Sequence, residues 1–249
     1  MSPGDIALIA VAGFGAGVIG STAGLASLVS YPALLLVGLP PVTANVTNAI
    51  GLIGSSVGSV SGSRLELTGQ APAVRRWLPL AVLGGAAGAG LLLVGPDQSF
   101  EAVVPFLVAL ASVLLLLSPR IRRLRTIGAP AGPGLAVGIV LSCAYGGYFG
   151  AAAGVMILAL LLATSEQTLP DANALKNILL GAANGTAAVI FALTADVAWS
   201  AVLPMLIGCI VGGRLGPVVV RRVPEPVMRW TVGVAGLALG VRLGLQAFG

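Results

Sequence analysis

Very few side chains in this sequence could do chemistry, and those few are polar groups set inside long apolar runs. They are Ser21, Thr22, Ser27 and Ser30; Asn45, Thr47, Asn48, Ser55 and Ser56; Ser142, Tyr145 and Tyr148; and Asn173, Lys176, Asn177, Asn184 and Thr186. Positions 173, 177 and 184 lie four and seven apart, on one face of a helix, and positions 44, 48 and 55 repeat that spacing with Ala44 in place of the first Asn. Polar groups at such positions either tie helices together or line a solvent path, and their recurrence on matching faces favours the path. Lys176 has two readings: a snorkelling side chain near a helix end, or an electrostatic attractor for an anion. The acidic residues Glu66, Asp97, Glu101, Glu166, Asp171, Asp196 and Glu225 all fall in or beside expected loops. A cation path or a proton relay wants a carboxylate within the span, so this inventory suits an anion.

Enzymatic readings are weaker. The 249 residues include no His, and the two cysteines, Cys143 and Cys209, each sit inside an apolar run. Zinc, haem and His-based general-base catalysis therefore lose their usual ligand or base, a disulfide framework is not expected, and no cofactor is called for. An intramembrane hydrolase would need its serines activated by a Ser–Lys pair through Lys176, and there is no acidic pair to activate water.

The elements that must position these groups follow from composition. Apolar residues make up 57% and charged ones 8%, with a mean hydropathy of +1.04. That leaves too little polar surface to cover a water-facing globule, whereas lipid as solvent fits, given helices that satisfy their own backbone. The material suffices for roughly seven to ten crossings at about 20 residues each. The net charge of +5 resides in short loops between apolar runs, which is a topology signal and not a nucleic-acid footprint. The first run is preceded by Asp5 and by no Lys or Arg, unlike a cleavable signal, so it is expected to be retained.

Two series of runs emerge, 5–38, 42–62, 73–94 and 100–118, then 132–164, 171–194, 198–220 and 226–247. The leader of each is too long for one crossing and is Gly-rich at its centre. Gly17, Gly20, Ala23, Gly24 and Leu28 recur as Gly147, Gly150, Ala153, Gly154 and Leu158; Asn48 recurs as Asn177; Leu78, Pro79 and Gly88 recur as Leu203, Pro204 and Gly213. The chain therefore reads as a duplication: a first membrane repeat over 1–118, a basic linker over 119–131, and a second repeat over 132–249. Arg64, Arg75 and Arg76 mark one loop as cytoplasmic, as do Arg120, Arg122, Arg123 and Arg125, while the Asp97 turn lies outside. In the second half the charges exchange, with Asp196 outside and Arg221 and Arg222 inside, so the repeats are expected to be inverted. Inversion needs an odd number of crossings per half. Each half then comprises a Gly-rich hairpin (re-entrant, or two short spans) plus three transmembrane helices, with both termini outside an inner membrane.

The glycine clusters need a physical reason, since glycine costs about 1 kcal/mol per helix position relative to alanine. Tight helix packing is one and a broken helix is another. A break exposes N–H groups at the start of the following half-helix, which favour a small oxyanion that glycine lets approach closely.

The sequence resembles the sulfite exporter TauE/SafE family of membrane permeases. The resemblance is carried by Gly146-Gly147-Tyr148-Phe149-Gly150-Ala151-Ala152-Ala153-Gly154 and by Asn173-Ala174-Leu175-Lys176-Asn177 followed by Asn184. It continues in the first-half Gly20–Gly24 turn, in Thr47-Asn48 and in Ala198-Trp199, and spans essentially the whole chain. It implies a permease, often an exporter, for sulfite, sulfonates or related anions. The first-half turn, Gly20-Ser21-Thr22-Ala23-Gly24, is less Gly-rich than the resemblance would suggest, so selectivity is expected to differ. The expected partners are a small anionic substrate and the lipid bilayer, with homo-oligomerisation left open. The substrate site is expected to draw on Gly20, Ser21, Thr22, Gly24, Thr47, Asn48, Tyr148, Gly150, Gly154, Lys176, Asn177 and Asn184. The rival functional reading is a passive anion channel.

Overall fold

A computed structural model describes residues 1–123, 133–164 and 167–222, together with isolated positions and short runs between 230 and 245. Ten helices are delimited among the described residues: α1 (Pro3–Ala23), α2 (Ser27–Leu36), α3 (Pro41–Gly51), α4 (Ile53–Gly62), α5 (Ala71–Val94), α6 (Asp97–Arg123), α7 (Pro133–Tyr148), α8 (Ala153–Thr164), α9 (Leu169–Thr194) and α10 (Trp199–Arg222). Three of them, α1, α5 and α9, are long and apolar enough to cross a membrane. Most of the 226–247 run and of the 119–131 linker lies outside the described residues, although α6 continues to Arg123 and so takes in the first linker arginines.

Each Gly-rich leader is a helix, a break and a shorter helix. At about 1.5 Å per residue, the 10 residues of α2 and 12 of α8 reach about half of the roughly 30 Å hydrocarbon core. The breaks are made by Gly24 (φ 75°) and Gly150 (φ 79°), left-handed positions that a Cβ would strain. The Gly24 N–H closes α1 by donating to the carbonyls of Gly20 and Ile19, and the Gly150 N–H donates to Tyr145. Sequence repetition pairs Gly24 with Gly154 and Gly20 with Gly150, yet the break falls on the last glycine in the first half and the first in the second. Relative to its counterpart, α1 keeps one further turn, and α8 gains the turn that α7 gives up.

The 42–62 run is not a single helix. It kinks at Leu52 (φ −69°, ψ −13°), where Ser55 N–H bonds to Leu52 O at 3.0 Å, one residue tighter than an α-helical bond. Its counterpart α9 runs unbroken for 26 residues.

The most extensive helix contacts are α1 with α10 and α5 with α7, followed by α4 with α10 and α5 with α9. First-half helices therefore pack largely on second-half helices. Glycine makes the first two possible. Gly13 and Gly17 lie against Met205, Cys209 and Gly213; Gly208 and Gly212 lie against Ala10 and Phe14; Gly84 and Gly88 lie against Val140, Ala144 and Tyr148. These are backbone-to-backbone approaches, the small-residue packing expected where lipid gives helices no hydrophobic drive to associate.

The pairings also give relative direction. Along α1 and α10 the residue numbers rise together, Gly13 with Met205 and Gly17 with Gly213, and α4 follows α10 in the same sense, Gly54 with Leu206 and Gly58 with Ile210. Along α5 and α7 they rise together as well, Gly84 with Val140 and Gly88 with Tyr148, and likewise along α5 and α9, from the Gln70–Asp171 bond to Gly85 with Ala183. Between α3–α4 and α9 they run oppositely, Thr47 with Ala198, just past the end of α9, and Ser56 with Gly181. So α1, α3–α4 and α10 point one way, and α5, α7 and α9 the other. Arg64, Arg75, Arg76, Arg221 and Arg222 therefore gather at one end of the bundle, while Asp5 and Asp196 lie at the opposite end.

A Cβ at Gly88 would collide with the Ala144 carbonyl, whereas one at Gly90, on the same helix, meets nothing within 4 Å. Gly88→Leu is expected to abolish the monodisperse folded species in detergent, and Gly90→Ala to leave it intact or raise its melting temperature, as size-exclusion and thermal-shift measurements would read.

Candidate functional site

The two breaks meet. A Cβ built on Gly24 would lie 2.5 Å from the Gly154 Cα, so only backbone fits at this crossing. The groups that hold the broken ends come from the opposite half. The Lys176 ammonium donates to Gly20 O at 3.3 Å, and the side-chain amides of Asn173 and Asn177 donate to Ser21 O at 3.0 and 3.2 Å. One face of α9 thus covers the last-turn carbonyls of α1, which carry the negative end of that helix dipole. In return, Asn45 on α3 donates to Tyr148 O, the last carbonyl of α7, at 2.8 Å. Lys176 does not snorkel: it is 0% exposed, its charge held at a helix C-terminus.

Beside this crossing lies a cavity of about 30 Å³, room for a water or two. Among the residues expected at a site, Gly20, Gly24, Gly150, Asn177 and Asn184 line it. The side chains of Asn184 and Ser56, also in the lining, hydrogen-bond no described residue, so the Asn184 amide and the Ser56 hydroxyl are left for the cavity. Lys176 stands just behind the wall, its partner Gly20 and its neighbour Asn177 both on the surface of the cavity. No described Asp or Glu lines the space.

The remaining expected residues serve elsewhere. Ser21 and Thr22 turn their hydroxyls back onto Val18 O at 2.9 Å. Thr47 accepts from the Ala198 N–H at 3.0 Å, tying the start of α10 to α3. Asn48 bridges the first turn of α2, donating to Ser27 Oγ at 3.0 Å and accepting from Ser30 Oγ at 2.6 Å. Tyr148 contributes its carbonyl to Asn45 and packs edge-on to Phe100, with ring centroids 5.7 Å apart. Gly154 forms the crossing itself. The kinked helix supplies lining that the list of expected site residues omits: Leu52, Ser55, Ser56 and Ser59. Their 3,4 spacing was the available signal, since Ser59 completes the face begun by Ser55.

A second, wider pocket of about 840 Å³ opens between α4 and α9 on the arginine-bearing end, with Arg64, Ser61 and Thr68 among its lining. It shares Ser56 and Asn177 with the central cavity, so these two residues stand between the vestibule and the crossing.

Comparison with known proteins agrees with this architecture. The chain is 27% identical to a probable membrane transporter protein of Haemophilus influenzae, over 96% of this chain and 94% of that one. It is 25% identical to the probable membrane transporter protein YfcA of Escherichia coli K12, over 94% of this chain and 87% of the relative. A 118-residue stretch is 32% identical to the probable membrane transporter protein ORF9 of a Sinorhizobium species, covering 46% and 44% of the two chains. No solved structure matches. The family described as Sulfite exporter TauE/SafE matches residues 9–243. The protein is thus a multi-pass membrane transporter, not an enzyme, and it belongs to the TauE/SafE family.

Proposed function

We propose that this transporter is a secondary carrier exporting a small sulfur oxyanion, sulfite or an organosulfonate, across the inner membrane. The observation that carries the reading is the central cavity: uncharged donors at the crossing of two broken helices, a buried lysine behind the wall, and no described carboxylate in the lining. Such a surface solvates an anion with fixed dipoles and repels no negative charge. The short helices α2 and α8 begin beside the crossing, and their first N–H groups and dipoles favour an anion there. Sulfite enters as the substrate class through the description of the family.

The opposed helix directions support an inverted repeat, with residues 1–118 and 132–249 as its halves and the basic segment between them as the link. In each half the leader helix would then be one arm of a re-entrant hairpin. The gathering of arginines at one end supports a cytoplasmic assignment for that end and an outside location for both termini. On this reading the vestibule with Arg64 is the cytoplasmic entrance, Ser56 and Asn177 form its inner constriction, and rocking of one repeat against the other moves the anion past the crossing. A cavity only a water or two in size supports a carrier over an open anion channel, which would need a wider passage.

Sulfite-loaded proteoliposomes test this directly, with saturation and counterflow expected for a carrier. Asn184→Leu and Asn177→Leu should each lower sulfite flux about tenfold or more, the cost of one hydrogen bond to a charged group. Undiminished flux in both variants would remove the cavity as the site.

Arg64→Gln should act differently. A vestibule charge concentrates the substrate without shaping the site, so the variant should raise the half-saturating sulfite concentration a few-fold while leaving maximal flux near wild type. High salt should erase that difference.

A further inference from the structure

The central cavity meets the vestibule on the arginine-bearing side, and on the opposite side it meets a cluster of rings. Phe149, next to Gly150 in the cavity wall, packs edge-on to Tyr31 of α2, with ring centroids 5.3 Å apart, and to Phe100 of α6 at 6.1 Å. Phe100 lies in the first turn of α6, at the end of the bundle opposite the arginines. Tyr31, Phe100 and Phe149 are 1%, 2% and 3% exposed, so water does not pass between them.

Tyr31 belongs to a hairpin with a hinge at each end. Ala26 lies against Gly20 and Val29 against Gly15, so α2 doubles back along α1 toward the end opposite the arginines. The chain turns at Gly38 (φ 86°), where a Cβ would meet nothing within 4 Å, and returns as α3. Asn48 braces the two helices through Ser27 and Ser30. The hairpin, residues 27–51, is bounded by the left-handed Gly24 before α2 and by the kink at Leu52 after α3. A 3₁₀ step inside a helix often marks a hinge, and a hinge needs only a few such residues to absorb the motion. The second half has neither the kink nor the tyrosine: α9 runs unbroken, and by the repetition of Leu28 as Leu158 the counterpart of Tyr31 is Leu161.

Two bonds latch the hairpin to the second half, from Asn45 to Tyr148 O and from the Ala198 N–H to Thr47. The Tyr31 hydroxyl adds nothing to them. It is buried and has no hydrogen-bond partner among the described residues. A buried hydroxyl without a partner penalises the state that buries it, and moving the ring into water removes the penalty. The closed arrangement is thereby poised to open.

We infer that the 27–51 hairpin is the gate at the end opposite the arginines and that Tyr31 is its closing ring. Pivoting at Gly24 and Leu52, the hairpin parts Tyr31 from Phe149 and opens the central cavity to that end. The inference rests on the carrier reading and supplies its moving part on one side of the membrane.

Thiol chemistry on the full chain tests it, with Cys143→Ala and Cys209→Ala in place and a membrane-impermeant maleimide added to spheroplasts or to inverted vesicles. Arg64→Cys marks the vestibule side. Tyr31→Cys should be alkylated from the other side, while Ile139→Cys, at a position 0% exposed within α7, stays unreacted. In proteoliposomes, bridging Tyr31→Cys to Phe149→Cys with dibromobimane, whose thioether links sulfite does not cleave, should abolish the sulfite flux of the unbridged pair. Tyr31→Phe keeps the ring and removes the orphan hydroxyl, so it should slow turnover and raise the melting temperature. Tyr31→Cys as unreactive as Ile139→Cys, alkylation only from the Arg64→Cys side, undiminished flux through the bridged protein, or wild-type turnover in Tyr31→Phe would overturn the gate. Alkylation from the far side in a protein that moves no sulfite would support the gate and remove the proposed substrate instead.

Discussion

A helix that ends in an apolar interior leaves carbonyls with no water to receive them, and the rest of this structure is arranged around that constraint. The end of α1 is satisfied by three side chains of α9, and the end of α7 by Asn45 of α3. Because each set comes from the opposite half, neither half could present its broken helix alone. The capping bonds also explain why a lysine is tolerated at 0% exposure: the charge faces the negative end of a helix dipole, where it is stabilised electrostatically.

Close packing follows from the same requirement. Three of the four capping side chains are asparagines, which reach their carbonyls only where helices of the two halves lie close, while Lys176 reaches further. Glycines at Gly13, Gly17, Gly84, Gly88, Gly208 and Gly212 supply that proximity along α1–α10 and α5–α7. The glycines at the breaks and at these crossings are therefore two populations with different purposes, one that turns the chain and one that lets helices touch. Both kinds occur within a few residues of each other in the leaders.

That mixture explains what was legible in the sequence and what was not. Apolar run lengths located most of the described elements, because they depend on local composition. The windows around Gly20–Gly24 and Gly150–Gly154 were readable as breaks, but the residue that breaks each was not. Several glycines in each window could adopt the left-handed conformation, and the choice is made by the contact of Gly24 with Gly154, which joins residues 130 positions apart in the sequence. The kink at Leu52 was hidden for a similar reason, since nothing in Gly51-Leu52-Ile53 forbids a continuous helix. The polar faces were visible as candidates, but whether Asn48 lines a path or braces α2 depends on which neighbour arrives. Here Ser27 and Ser30 claim it, while Asn184 is left facing the cavity.

The displaced helical turn carries a consequence of its own. In an inverted-repeat carrier, two halves of identical shape would give inward and outward conformations related by a two-fold exchange of the halves' roles and equal in energy. Here one hairpin spends the turn before its break and the other after it, and only the longer first arm is capped by a lysine. Exchanging the roles of the halves no longer returns the same set of contacts. If the protein works as the proposed carrier, the fold itself lifts the degeneracy between the two conformations, and the empty protein would rest in one of them before any gradient is applied.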